Sequence, residues 1–204
     1  AINPQLTADL NAAMKNAEDD PNVRVVIIAG AGRAFCAGMD VKDLAEIVGK
    51  GGQDGKTPPG LATHGHMLQR SVSEIVIQMR RAPQPLIGAI RGSAAGGGFS
   101  LTMACDIRLA GQSARFNANN IRIGYSGGDM GSSYFLPRLI GLSRAAEYLY
   151  TGRIMDATTA ERIGFVSRVV PDEQLDQAAE EVAREMVAAT PFALRLTKEI
   201  LNMN

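Results

Sequence analysis

Glycine spacing makes main-chain amides the first chemically capable groups in this sequence. Gly92-Ser93-Ala94-Ala95-Gly96-Gly97-Gly98-Phe99-Ser100-Leu101 runs from the strand-like Leu86-Ile87-Gly88-Ala89-Ile90 into an apolar helical pattern. Glycine lacks a Cβ, so the chain can turn sharply there and a ligand can approach the backbone. Unpaired N–H groups at the following helix start favour an anion or a developing oxyanion. A second loop, Gly30-Ala31-Gly32-Arg33-Ala34-Phe35-Cys36-Ala37-Gly38-Met39-Asp40, follows the β-branched run Val23 to Ile28 and precedes a helical pattern from Val41 to Ile47. Two such loops can aim amides at one carbonyl oxygen, and each donor of such a pair is worth about 3 to 4 kcal/mol in the transition state. The same residues also fit two ordinary strand-to-helix turns, and glycine-rich helix starts serve phosphate sites too.

Taken together, the motifs resemble the crotonase superfamily of enoyl-CoA hydratases and isomerases, over nearly the whole chain. The markers are Ala1-Ile2-Asn3-Pro4, Gly32 to Asp40, Gly96-Gly97-Gly98, Ala104-Cys105-Asp106-Ile107-Arg108, Leu136-Pro137-Arg138-Leu139-Ile140-Gly141 and Thr151-Gly152-Arg153. The resemblance implies an α/β fold, a spiral of repeated ββα units with a helical C-terminal region. It also implies an acyl-CoA substrate whose thioester carbonyl sits between the Ala37 and Gly97 amides. Ala37, Gly38, Met39, Asp40, Gly96 and Gly97 would line the substrate path. CoA is then part of the substrate, and no separate cofactor or metal is expected. Proton loss beside the thioester gives an enolate, and the acid and base residues decide whether hydration, double-bond migration, decarboxylation, carbon–carbon cleavage or hydrolysis follows.

At those acid and base positions the chain departs from the family. The resemblance places the two glutamates of hydratases at Ser100 and Asn120. An amide does not ionise, and a hydroxyl without a neighbouring base accepts protons poorly. Hydration by a carboxylate pair is therefore not expected, and an isomerase- or lyase-like reaction is. Asp129, in Gly124-Tyr125-Ser126-Gly127-Gly128-Asp129-Met130-Gly131-Ser132-Ser133, is the carboxylate candidate for proton transfer. Dienoyl-CoA isomerases and naphthoyl-CoA synthases carry aspartates at about this place. An ordinary aspartate titrates near 4, so a base role needs burial or an oriented hydrogen bond. Asp129 also reads as an N-cap for a helix beginning near Met130. The catalytic set expected is Asp129, Ser100 and Asn120. The alternative is an acyl-CoA-binding protein that has lost catalysis.

Other polar residues carry weaker signals. His64 and His66 lack a carboxylate or cysteine at ligand spacing and read as loop or cap residues rather than metal ligands. Asp106 reads as a structural hydrogen-bond or ion-pair partner. Tyr125, Ser126 and Tyr134 are candidates for the acyl pocket or for packing. Cys36 and Cys105 form no disulfide framework, and Cys36, beside the glycine loop, reads as a packed thiol or a nucleophile without an adjacent base.

The elements that must position these groups alternate along the chain. Asn3-Pro4 opens a helix bearing Leu6, Leu10, Met14 and Ala17. A strand is predicted over 23–29, and the Gly/Pro-bearing stretch 49–60 is read as a mobile cover for the acyl end. Then come a helix over 67–79, strands over 86–90 and 106–110, one starting at Arg115-Phe116, and one carrying Asn120. Helices over 130–136, 143–150, 157–163, 173–188 and 191–201, with a strand over 166–170, complete the pattern. Residues 1–140 hold the spiral core and 141–204 the helical region, as parts of one domain.

A chain of 204 residues can bury a sizeable core. Lys plus Arg and Asp plus Glu both total 21, so no basic face for nucleic acid is advertised. No apolar run approaches the roughly 20 residues of a membrane span, and no signal peptide is visible. The expected protein is cytoplasmic and forms a trimer or a dimer of trimers. By the resemblance, the sequence starts past an initial hairpin and stops before closing helices that often mediate trimer contacts. The apolar stripe Leu175, Ala179, Val182, Met186 is expected to pack internally.

Overall fold

The computed structural model describes residues 1–40, 61–124 and 126–203; the helical pattern expected from Val41, the cover over 49–60 and Tyr125 lie outside them. Side chains are described except within 61–69 and at position 71. Helix α1 (Pro4–Asp19) starts as its sequence dictates, with Asn3 Oδ1 accepting the Leu6 N–H at 2.8 Å and Pro4 in the first turn. Strand β1 (Val26–Ala29), helix α2 (Leu61–Arg81), strands β2 (Leu86–Ile90) and β3 (Ser93–Ala95), helix α3 (Gly97–Ala104), and strands β4 (Ile107–Gly111) and β5 (Arg115–Asn117) follow. Helices α4 (Ser132–Ile140) and α5 (Leu142–Thr151), strand β6 (Met155–Asp156), helix α6 (Ala157–Arg162), strand β7 (Arg168–Val170) and helices α7 (Leu175–Val187) and α8 (Pro191–Met203) complete the chain.

A four-stranded sheet has the order β1-β2-β4-β7, with every neighbouring pair parallel. Parallel strands need crossovers, and helices supply them, so the central strand is covered on both faces and reads as an unbroken apolar run. Each residue of β2 is buried. Leu86 packs with Val72, Ile75 and Met79 of α2, whereas Ile87 and Ala89 face Leu175, Ala178 and Ala179 of α7. That is the two-residue alternation of a strand between two layers. The α7 stripe therefore packs internally, with Val182 and Met186 against the same cluster. A smaller sheet, β3-β5-β6, joins parallel and antiparallel pairs. Behind it Phe99, Phe116 and Phe165 meet at ring-centroid separations of 5.0 to 6.2 Å. Their cluster contains Ile90 and Ala94 together with Ala145, Met155 and Val166.

Several boundaries differ from those the sequence predicts. The first strand starts at Val26, not Val23, because its ladder begins at the Val26–Leu86 pair, with Val26 N–H donating to Pro85 O at 3.0 Å. Strand β7 starts at Arg168, because Phe165 and Val166 donate back to Ala160 O and close α6. Asn120 lies in a 3-10 turn, Asn119–Ile123, and not in a strand; the turn ends at Gly124, whose φ is 84°. Met130 is left-handed, φ 48° and ψ 37°, so α4 begins at Ser132. The backbone of α2 starts at Leu61 and takes in His64 and His66, which the sequence places in a loop. A 3-10 turn, Asp172–Gln174, precedes α7.

Helix α8 is fastened by a lysine. Lys198 is buried and donates to Met79 O and Gln84 O, each at 2.9 Å, and its Nζ lies 3.0 Å from Asp106 Oδ2. Asp106 also accepts from Leu86 N–H at 2.8 Å and Arg80 at 2.9 Å, which bears out its structural reading. Burial pushes the Lys198 ammonium below its ordinary range, and the Asp106 charge opposes that shift.

Exposed caps matter less but are testable. Asp156 accepts the Thr159 N–H at 2.7 Å at the start of α6, and that hydrogen bond holds its carboxyl below the usual 3.8. The sign follows: a carboxyl with a lowered folded pKa stabilises above its unfolded value, and that gain is lost as pH falls through the folded one. Replacing Asp156 by Ala is expected to cost ~1 kcal/mol in urea unfolding at pH 7. The difference from wild type should shrink once the pH is taken below 3.8.

Candidate active site

The loop bearing Ala37 is held on two sides. Phe35 N–H donates to Arg91 O at 2.8 Å, Cys36 N–H to Ser93 O at 3.0 Å, and Cys36 O accepts from Ala95 N–H at 2.9 Å, which makes an isolated parallel bridge between Cys36 and Ala94. On the other side Ile2 N–H donates to Gly38 O at 2.7 Å and Ile2 O accepts from Asp40 N–H at 2.9 Å, with a bridge to Met39. The Ala37 N–H and the Gly97 N–H take no backbone acceptor among the described residues. Gly97 opens α3, where helical geometry leaves the first N–H groups without intrahelical acceptors.

Glycine in the triplet is explained by close approach. A Cβ on Gly98 would stand 2.1 Å from Cys36 O, so the two loops touch only because that side chain is missing. Gly38 repeats the contact from the other loop, its Cβ position lying 2.8 Å from Ala95 O and 3.6 Å from Gly97 N. Gly96 has φ 53°, and a Cβ there would meet Asn120 Oδ1 at 2.7 Å. Replacing Gly98 by Ala is expected to force Cys36 away from α3 and lower proton-exchange turnover at least about tenfold, since misplacing one donor of an amide pair costs up to roughly a thousandfold. Rate measurements on a saturated acyl-CoA, beside its affinity, check this.

The three expected catalytic side chains come together from three elements. Asn120 Nδ2 lies 3.5 Å from Asp129 Oδ2, and Asp129 Oδ1 accepts the Met130 N–H at 2.7 Å. Asp129 therefore does not cap α4, whose N-cap is Gly131 with no side-chain bond. Ser100 is buried, 2.9 Å from Ser132 Oγ, 3.3 Å from Asp129 O and 3.4 Å from Gly96 O. One carboxylate, an amide and a hydroxyl thus sit around the glycine triplet, and the carboxylate is the one of the three that ionises readily.

The remaining candidates have other surroundings. Cys36 is buried among Ile2, Leu101 and Met130. Burial pushes the Cys105 thiol up to about 12, which leaves it inert near neutral pH. Tyr134 is exposed and stacks under Arg138 at 3.6 Å, and Ser126 Oγ accepts the Gly128 N–H at 3.1 Å. A wide groove of about 1150 Å³ between α2, α4 and α8 is lined by Tyr134, Arg80 and Phe135, and reaches the Asp129 loop only at Met130 and Gly131. Ala37, Gly97 and Asp129 are not among the residues lining this groove. Ser132, the partner of Ser100, is the residue sequence reasoning missed, since nothing in Gly131-Ser132-Ser133 distinguishes one serine from the other.

Known structures share this architecture. An enoyl-CoA hydratase from Bacillus anthracis superposes with a TM-score of 0.87 at 34% identity, covering 98% of this chain and 72% of that one. A monofunctional enoyl-CoA isomerase from M. smegmatis superposes with a TM-score of 0.77 at 35% identity, covering 98% and 80%. The fold is the mixed α/β fold of the crotonases, as the sequence motifs imply. The family model for enoyl-CoA hydratase/isomerase matches residues 1–204, and the chain belongs to that family. Among curated relatives, the protein named "Probable enoyl-CoA hydratase echA12" of Mycobacterium bovis is 41% identical over 192 residues, 94% of this chain. The chain spans 65% of that relative's length.

Proposed function

We propose that this chain acts on an acyl-CoA thioester by proton transfer at the carbon next to the carbonyl, in an isomerase- or lyase-like reaction. The Ala37 and Gly97 amides hold the enolate oxygen, and Ala37 to Asp40 with Gly96 line the substrate. Asp129 moves the proton, the Asn120 amide fixes its carboxylate, and Ser100 supplies the buried hydroxyl behind it. The observation carrying this reading is the Asn120–Asp129 contact at 3.5 Å, with the Asn120 side chain against Gly96. A carboxylate near the glycine triplet supports this reading, since both hydratase positions are uncharged. CoA enters as part of the substrate, and we take the protein to work in the cytoplasm as a trimer or a dimer of trimers. Among the described residues no helix is long and apolar enough to cross a membrane.

The test is solvent deuterium incorporation beside the thioester of octanoyl-CoA in D2O, with 2-enoyl- and 3-enoyl-CoA turnover followed in parallel. Exchange with migration of the double bond, and little hydration, is expected. Octanoyl-CoA binding with neither exchange nor turnover would leave the non-catalytic acyl-CoA-binding protein instead.

A further inference from the structure

We propose that Ser132 is a positioning residue for proton transfer: its hydroxyl sets the single Ser100 proton onto the Asp129 backbone carbonyl and so fixes the turn that presents the Asp129 carboxylate. This rests on the Asp129 role given above. The two serine hydroxyls are both buried, at 1% and 2% exposure, and lie 2.9 Å apart. Each hydroxyl carries one hydrogen and can accept others. When Ser132 donates to Ser100, the Ser100 hydrogen is free to reach Asp129 O at 3.3 Å. Without Ser132, the Ser100 hydroxyl rotates freely between that carbonyl and Gly96 O at 3.4 Å.

The turn needs such a restraint. Met130 is the one non-glycine residue with positive φ among the described residues, at 48°. A left-handed methionine is strained, and such strain persists only where surrounding contacts impose it. Its side chain is 4% exposed, and a Cβ on Gly97 would stand 3.0 Å from Met130 Sδ, so packing beside the oxyanion loop holds the turn on one side. The serine chain holds it on the other. The turn delivers the Met130 N–H to Asp129 Oδ1 at 2.7 Å and leaves Oδ2 toward Asn120. If Met130 relaxed into the helical region, α4 would extend back over Asp129 and turn its carboxylate elsewhere.

The experiment compares wild type with Ser132→Ala, Ser132→Thr, the Ser100→Ala/Ser132→Ala pair and Asp129→Asn. It reads deuterium incorporation into octanoyl-CoA, octanoyl-CoA affinity, and amide hydrogen exchange in the peptide spanning residues 126–133. Ser132→Ala is expected to slow incorporation about tenfold while affinity stays within about twofold, and to speed amide exchange in that peptide alone. Ser132→Thr should restore both. The double variant, which leaves no unpaired hydroxyl, should recover stability and remain slow, as a purely structural role would not. Incorporation within twofold of wild type in Ser132→Ala, with Asp129→Asn inactive, overturns the proposal and leaves the Asp129 role standing. Full activity in Asp129→Asn overturns both. If wild type itself exchanges no substrate proton, the Asp129 role and this proposal fall together.

Discussion

Replacing Asp129 by asparagine is expected to lower deuterium incorporation beside an acyl-CoA thioester by about 10² to 10⁴, the usual worth of a positioned acid or base. Affinity for octanoyl-CoA should change by less than about threefold. Asparagine keeps the size of the side chain and an oxygen for the Met130 N–H, so the left-handed turn survives. What it loses is the ability to take up a proton. Its own NH2 must also avoid the Asn120 amide, now 3.5 Å from a group that can no longer be two acceptors. A loss in rate without a loss in binding belongs to an interaction made in the transition state, and a thousandfold corresponds to about 4 kcal/mol. An unaffected rate would assign the proton to another group. On the proposed reading the Ala37 and Gly97 amides remain in the variant, so residual exchange above the solvent rate is expected.

Replacing Lys198 by methionine is expected to cost roughly 3 kcal/mol of stability, at the low end of what breaking a buried ion pair costs. Methionine fills the space but donates nothing. Met79 O and Gln84 O lose their donor, and Asp106 Oδ2 keeps the Leu86 N–H, while Arg80 still holds Oδ1. Because Asp106 retains those partners, the cost falls short of a fully stranded charge. Adding Asp106→Asn is expected to recover a good part of the loss, since an uncharged amide is cheaper to leave half-paired in the interior. Urea unfolding of the single and double variants, with the slope of the transition monitored, measures both. Equal stability of wild type and Lys198→Met would mean that α8 is held by packing and by the Asn202–Arg80 hydrogen bonds without help from the lysine.

How far each part was legible in the sequence follows from how local its cause is. The glycine triplet and the Ala37 loop could be read because glycine at fixed spacing reports backbone approach, and the structure shows that approach at Gly98 and Gly38. The central strand was legible because burial on both faces demands an apolar run at 86–90. Asn120 and Asp129 were found by position, yet their contact was not, because it depends on a 3-10 turn where a strand was expected and on a methionine in a conformation its residue type disfavours. The left-handed Met130 packs close beside Gly97, a long-range contact that no local pattern encodes. Nothing in the sequence singles out Lys198, since a lysine on a helix is ordinarily solvated. Only the assembled sheet shows carbonyls at Met79 and Gln84 waiting for a donor.

The lysine that fastens α8 also sets an order of events during synthesis. Asp106 leaves the ribosome long before position 198, and at ~5 to 20 residues per second the delay is on the order of ten seconds. Through that interval the growing polypeptide holds an acidic group facing water in a half-built interior, with only Arg80 and the Leu86 amide to meet it. Closure of this part of the interior waits for position 198 to arrive, and until then the apolar surface that α8 covers stays open to water.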